Sequence, residues 1–183
     1  RYTTLTESFE DLVQVDELNI EALAVPRSKL DLENQAVPFI QWSDWHVGKT
    51  IKRSVMNDLN EYNPEIARSR ALALFDNTLK MVDLHRKQNK ITQGVVHLAG
   101  DSIEGYLREH SLRENSMTPI EEVTFAAELE ITGLEALERS GFFKTLFVLM
   151  NRGNHPRLTK KMDSDDYRMN YETLVHHMVA KHF

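Results

Sequence analysis

The sequence predicts an α/β fold, a parallel-sheet core with flanking helices, and three features carry that expectation. Apolar runs at residues 37–42, 94–99 and 145–150 have the length of buried strands. Long stretches of helical periodicity separate them. A short polar motif follows each run: Ser43-Asp44-Trp45-His46, Ala99-Gly100-Asp101 and Arg152-Gly153-Asn154-His155. Strands alternating with helices imply right-handed crossovers and a parallel sheet.

The first 35 residues are mixed and acidic, with a short helix expected over residues 7–15. The first strand ends at Trp42. Asn63 is a natural N-cap with Pro64 at the first helical position, and the helix that follows runs to about Asn89. Ile66, Ala73, Leu74, Met81 and Leu84, beside Leu72, Phe75, Leu79 and Val82, recur along it at helical spacing. After the second strand, Thr118-Pro119-Ile120-Glu121 is a capping box. Val123, Ala127, Leu134 and Leu137 form the apolar side of that helix, and Gly141 stops it. The third strand follows, then a last helix over residues 170–182 with a stripe of Tyr171, Leu174, Val175, Met178 and Val179.

The 183 residues suit one domain, with residues 1–36 as an N-terminal extension. No apolar stretch is long enough to span a bilayer, so no membrane contact is expected. With no cysteine, any metal must be held by oxygen and nitrogen ligands, and a reducing, cytoplasmic setting is expected. The net charge of −6 argues against holding nucleic acid by a broad basic surface.

The polar motifs sit where α/β sheets place their ligands. On extended backbone, Asp44 and His46 project to one face and reach a common point. Gly100 lets the chain turn sharply before Asp101. Asn154 and His155 are adjacent, so their side chains diverge and one can serve a metal while the other faces substrate.

Asp-x-His, Gly-Asp and Gly-Asn-His, in that order at strand ends, resemble the calcineurin-like metallophosphoesterase superfamily over about residues 37–157. Within it the chain is most similar to the double-strand-break-repair nuclease branch, which includes phage and bacterial DNA exonucleases; the long segment from Ser102 to Gly141 supports that placement. The resemblance implies one half of an α/β/β/α sandwich and two divalent ions, with Mn²⁺ favoured and Mg²⁺, Fe²⁺ or Zn²⁺ as alternatives. It implies Asp44 and His46 as ligands of the first ion, Asp101 as the bridge, Asn154 as ligand of the second, and His155 as the catalytic contact to the phosphate. Two such ions, about 3.5–4 Å apart, polarise a phosphoryl group and activate water. The implied activity is cleavage of DNA or RNA by attack of metal-bound hydroxide. The alternatives are hydrolysis of a phosphomonoester or cyclic nucleotide, and a non-catalytic scaffold.

The chain departs from the family pattern in places. Pro156 stands where an acidic residue normally orients the histidine. Glu104 supplies the acid three residues after Asp101, but Gly105 and Tyr106 follow it. The downstream Gly-His and Gly-His-x-His motifs do not occur, so the domain is expected to lack its C-terminal part.

Arg152, Arg157, Lys160 and Lys161 form a local basic cluster with no acidic residue between Asn151 and Lys161, and Lys49, Lys52 and Arg53 form a similar run just after the first motif. Solvated loop charge is the ordinary reading of such runs; as they leave a metal centre, Arg152, Arg157 and Lys160 are candidate substrate contacts. Nucleic acid is the expected substrate, and a homodimer or a role as accessory subunit stays open. Trp42 is expected in the core and Trp45 at the cleft edge. His97 is expected as a hydrogen-bonded residue of the core or behind a ligand rather than as a ligand itself, and His85, His110, His176, His177 and His182 in solvent.

Overall fold

The computed structural model describes residues 34–109, 111–160 and 168–183; the helix expected over residues 7–15, most of the N-terminal extension, His110 and Lys161 lie outside them. Strands β1 (Phe39–Trp42), β2 (Gln93–Leu98) and β3 (Thr145–Met150) form one parallel sheet in that spatial order. The α/β expectation holds. Trp42 lies opposite Leu98, and Leu98 opposite Met150. The last residues of all three strands therefore share one row, and the three polar motifs leave the sheet side by side.

Four helices surround this ladder among the described residues: α1 (Pro64–Arg86), the single turn α2 (Ser111–Glu114), α3 (Pro119–Arg139) and α4 (Glu172–His182). Their starts are chemically specified. The Asn63 side chain accepts the Ile66 N–H at 2.9 Å. Thr118 and Glu121 form the reciprocal capping box, with Pro119 in the first turn, which satisfies donors the helix itself cannot.

Connections that move in one direction with one hand put their helices on one side of the sheet. Burial alternates accordingly. Ile40, Trp42, Val96 and Leu98 are buried toward the helices, while Phe39, Phe147 and Leu149 are exposed on the other face. Among the described residues nothing covers that second face, although parallel sheets are normally covered on both.

The helix faces partly differ from the sequence reading. On α1 the buried series is Ala67, Ala71, Phe75, Leu79 and Val82, whereas Leu74, Met81 and Leu84 are exposed. Helix α3 contacts both α1 and α4 and is buried around most of its girth, including all four expected positions. On α4, Val175 and Val179 are buried but Leu174 is exposed, and Glu172 takes an interior place instead. No described helix is long and apolar enough to cross a membrane.

Trp42 is the keystone of the helix-facing layer, with its ring 4.8 Å from that of Phe75. Both rings press on Gly133 of α3. A Cβ added there would lie 2.6 Å from each. Helix propensity favours alanine over glycine by about 1 kcal/mol, but forcing atoms into a packed core costs about 1–3 kcal/mol. Gly133→Ala is therefore expected to lower stability in urea denaturation, the reverse of its effect at an exposed helix position.

Candidate metal centre

Beyond the strand ends the backbone keeps pairing. Asp44 N–H donates to the Gly100 carbonyl and His46 N–H to that of Asp101, both at 3.0 Å, and Val47 N–H donates to Ser102 at 2.9 Å. The first two motifs are thus zipped together as a continuation of the β1–β2 ladder. Asp101 meets the third motif directly: its Oδ1 accepts the His155 N–H at 2.8 Å. Its carboxylate lies over Gly153, where a Cβ would come within 2.0 Å of Oδ1. Only glycine leaves room for this contact.

The route by which Asp44 and His46 converge corrects the sequence reading. Neither lies on extended backbone: φ is 57° at Asp44, 46° at His46 and 58° at Asp101. The left-handed region is uncommon for residues with a Cβ and costs about 1–3 kcal/mol at each position. Two left-handed residues, not strand alternation, turn both side chains toward one point. Asp44 Oδ1 and His46 Nε2 are 3.7 Å apart, and Asp44, His46 and Asp101 offer ligand atoms that all lie within 4.8 Å of one another. Gly100 makes the expected sharp turn at φ 94°.

A second trio overlaps the first. Glu104 Oε2 lies 3.1 Å from His46 Nδ1 and 3.3 Å from His155 Nδ1, and the two imidazole rings meet edge to face at 4.4 Å. His46 thus turns one nitrogen to Asp44 and the other to a buried carboxylate, the arrangement that fixes a histidine ligand's ring. Burial pushes the Glu104 carboxyl up, but His46, Lys49 and His155 outweigh it and hold the group below its ordinary value. Glu104 is therefore the carboxylate partner of both histidines. Pro156 is buried, and its carbonyl accepts the Tyr171 N–H.

Beneath the loops lie three glutamates that sequence reasoning missed. Glu172 accepts N–H groups from Ser102 and Gly153, each at 2.5 Å. Glu130 accepts the Ser102 hydroxyl at 2.6 Å. Glu122 accepts the Gly105 N–H at 2.7 Å and the Asn115 amide at 2.9 Å. All three are buried. Burial pushes Glu122 and Glu172 up to about 7 and Glu130 to about 8, against the hydrogen bonds that oppose it. Their only sequence signal is position: acids on helix faces otherwise made of apolar residues.

Asn154 is exposed and sits between two residues that both touch Asp101. The basic residues are not gathered around the trio. Arg157 Nε donates to the Asn154 carbonyl at 3.0 Å, Lys160 lies 4.0 Å from Glu109, and Arg152 is exposed. Trp42 is core and Trp45 is half-buried, as expected. His97 is not a core residue: it lies on the open sheet face, paired with Asn151 at 3.0 Å. His176 is not in solvent. Its Nε2 is buried without a hydrogen-bond partner, and burial, with the Arg152 charge, pushes the ring down to about 4. His85, His177 and His182 are exposed. The segment from Gly105 to Met117 is tied down, with the Tyr106 hydroxyl on the Met117 carbonyl and Ser116 N–H on that of Gly48. Comparison with protein-family models, curated proteins and solved structures finds no match.

Glu130 makes stability depend on pH. Its folded value of about 8 lies above the ordinary 4.5, so its contribution is full below pH 4.5 and is lost as pH rises through 8. Metal-free protein is expected to lose stability in urea between pH 5 and pH 8. Glu130→Gln should flatten that slope by about 2 kcal/mol or more, a tenfold difference in proton affinity between folded and unfolded chain being worth about 1.4 kcal/mol.

Proposed function

We propose that this chain is a metal-dependent phosphoesterase of the two-metal type whose substrate is nucleic acid. The observation that carries the reading is the convergence of Asp44, His46 and Asp101 within 4.8 Å, at the shared edge of three parallel strands. Two carboxylates and an imidazole are a donor set suited to Mn²⁺, Fe²⁺ or Zn²⁺, of which Mn²⁺ is favoured; Asn154, beside His155 in sequence, is the candidate ligand of a second ion. Divalent ions held there supply Lewis-acid activation of phosphate and of water near neutral pH.

The chain's own residues do the rest. Asp101 is the bridging carboxylate, since its Oδ1 can accept the His155 N–H and still offer a lone pair. Glu104 holds His155 by its Nδ1 edge, which leaves Nε2 to steady phosphate charge or to protonate the leaving oxygen. Arg152 opens the third motif, Arg157 and Lys160 follow it on the chain, and the three are the contacts for neighbouring phosphates.

One observation favours a smaller substrate: Arg157 and Lys160 already have partners, and the net charge is −6. The deciding experiment incubates the full chain with Mn²⁺ and end-labelled single- and double-stranded DNA, with a p-nitrophenyl phosphomonoester in parallel. The expected result is Mn²⁺-dependent DNA cleavage. His155→Ala should slow it about 10²–10⁴-fold with Mn²⁺ binding unchanged in calorimetry, whereas Asp101→Ala should lose the ion. Monoester turnover with intact DNA would replace nucleic acid by a small phosphoester, and protein that stays metal-free after Mn²⁺ dialysis would make the chain a scaffold.

A further inference from the structure

A cleft adjoins the metal centre on the side of α1. It encloses about 410 Å³, begins at Asp44 and His46, and runs past Trp45 and Tyr62 to Arg70. That volume lies within the range of small-molecule sites, which combine an apolar wall with a few placed polar groups. Here the deeper wall is Ile51, Ala67 and Ala71, and the polar groups near the rim are Asn60 and Lys49.

The aromatic members are fixed in place. The Trp45 ring is braced from behind by Trp42, at 6.0 Å between centroids, and by Phe75 at 5.9 Å. The Tyr62 hydroxyl donates to the Trp45 carbonyl, so the two residues are tied through one hydrogen bond. The Arg70 guanidinium lies 5.3 Å over the Tyr62 ring. Two aromatic rings and a planar cation along one wall suit the stacking of a flat heterocycle. The Asn60 amide offers both a donor and an acceptor to the heterocycle's edge.

We propose that this cleft seats the base of the nucleotide whose phosphate lies at Asp44 and His46. The inference rests on the nucleic-acid reading above and deepens it: Trp45, next to His46 in sequence, reads the base with Tyr62 and Arg70 while His46 holds the ion. Phosphoserine, phosphothreonine or a simple sugar phosphate has no flat ring to use the Trp45, Tyr62 and Arg70 wall.

The test separates the cleft from the metal centre. In the first arm, the full chain in EDTA is titrated with adenosine or thymidine, and the indole N–H resonances of its two tryptophans are followed, assigned with Trp45→Phe. The Trp45 resonance should shift saturably while that of Trp42 stays still. Combined Asn60→Ala and Arg70→Ala, both at exposed positions, should weaken binding about tenfold. In the second arm, with Mn²⁺, a nucleoside 5′-monophosphate should bind about tenfold more tightly than deoxyribose 5-phosphate, and the double variant should close that gap. No saturable nucleoside shift, or equal affinity for the two phosphates, overturns the cleft and leaves the phosphoesterase reading intact. Nucleoside binding in EDTA with no Mn²⁺-dependent phosphate binding does the reverse.

Discussion

The arrangement of the site depends on one buried carboxylate. Glu172, in the first turn of α4, accepts backbone N–H groups from Ser102 and Gly153, residues that each lie next to a candidate ligand. One side chain thereby fixes the spacing of the loops after β2 and β3. It also explains the placement of α4: Leu174 is turned outward because Glu172 must face inward. Asn170 completes the clamp, accepting the Glu172 N–H and donating to the Gly153 carbonyl. A carboxylate suits this task because it has lone pairs for two donors that would otherwise be buried without partners.

The legible parts of the chain are those governed by local rules. The caps at Asn63 and Thr118, the apolar strands and the parallel order follow from chain-local chemistry. Asp44, His46, Asp101 and Asn154 stand out because their residue types follow strands in a fixed order. What local rules do not reach is set by tertiary contact. Asp44 and His46 share a point through left-handed backbone that the hydrogen bonds to Gly100 and Asp101 hold in place. Glu104 is visible as an acid at a suggestive spacing, but its sharing between His46 and His155 joins residues far apart in sequence. Glu122, Glu130 and Glu172 read as solvated charge, since acids on helices usually are; only their loop partners make burial tolerable. His176 is hidden from the sequence for the same reason, as nothing beside it on the chain reports on packing.

Those buried acids place the cost of the site in the scaffold. Glu104, Glu122, Glu130 and Glu172 are all buried, and among the described ion pairs only that of Lys49 to Glu104, at 3.7 Å, brings a lysine or arginine to any of them. Desolvated carboxylates gathered under one loop cluster disfavour their own charged forms. Glu104 alone is held below its ordinary value and keeps its negative charge, beside His46 and His155. The same groups that destabilise the metal-free protein toward alkaline pH would thus be relieved by divalent charge. If ions bind at the proposed centre, binding and folding would be coupled through the loops, since Asp44, His46 and Asp101 are held in left-handed backbone.

Replacing an acid after Gly-Asn-His by Pro156 has a further consequence. When the orienting acid is the next residue, the histidine and its partner move as one unit. Here the partner is Glu104, on the segment that also carries Asp101. That segment touches His155 twice, at the backbone through Asp101 Oδ1 and at the ring through Glu104. It also reaches His46 through Glu104 Oε2. A displacement of residues 101–104 would therefore disturb Asp101, His46 and His155 together. If the proposed metal centre forms here, a change in this segment would alter metal affinity and turnover together, whereas the cleft beyond Trp45 lies outside it.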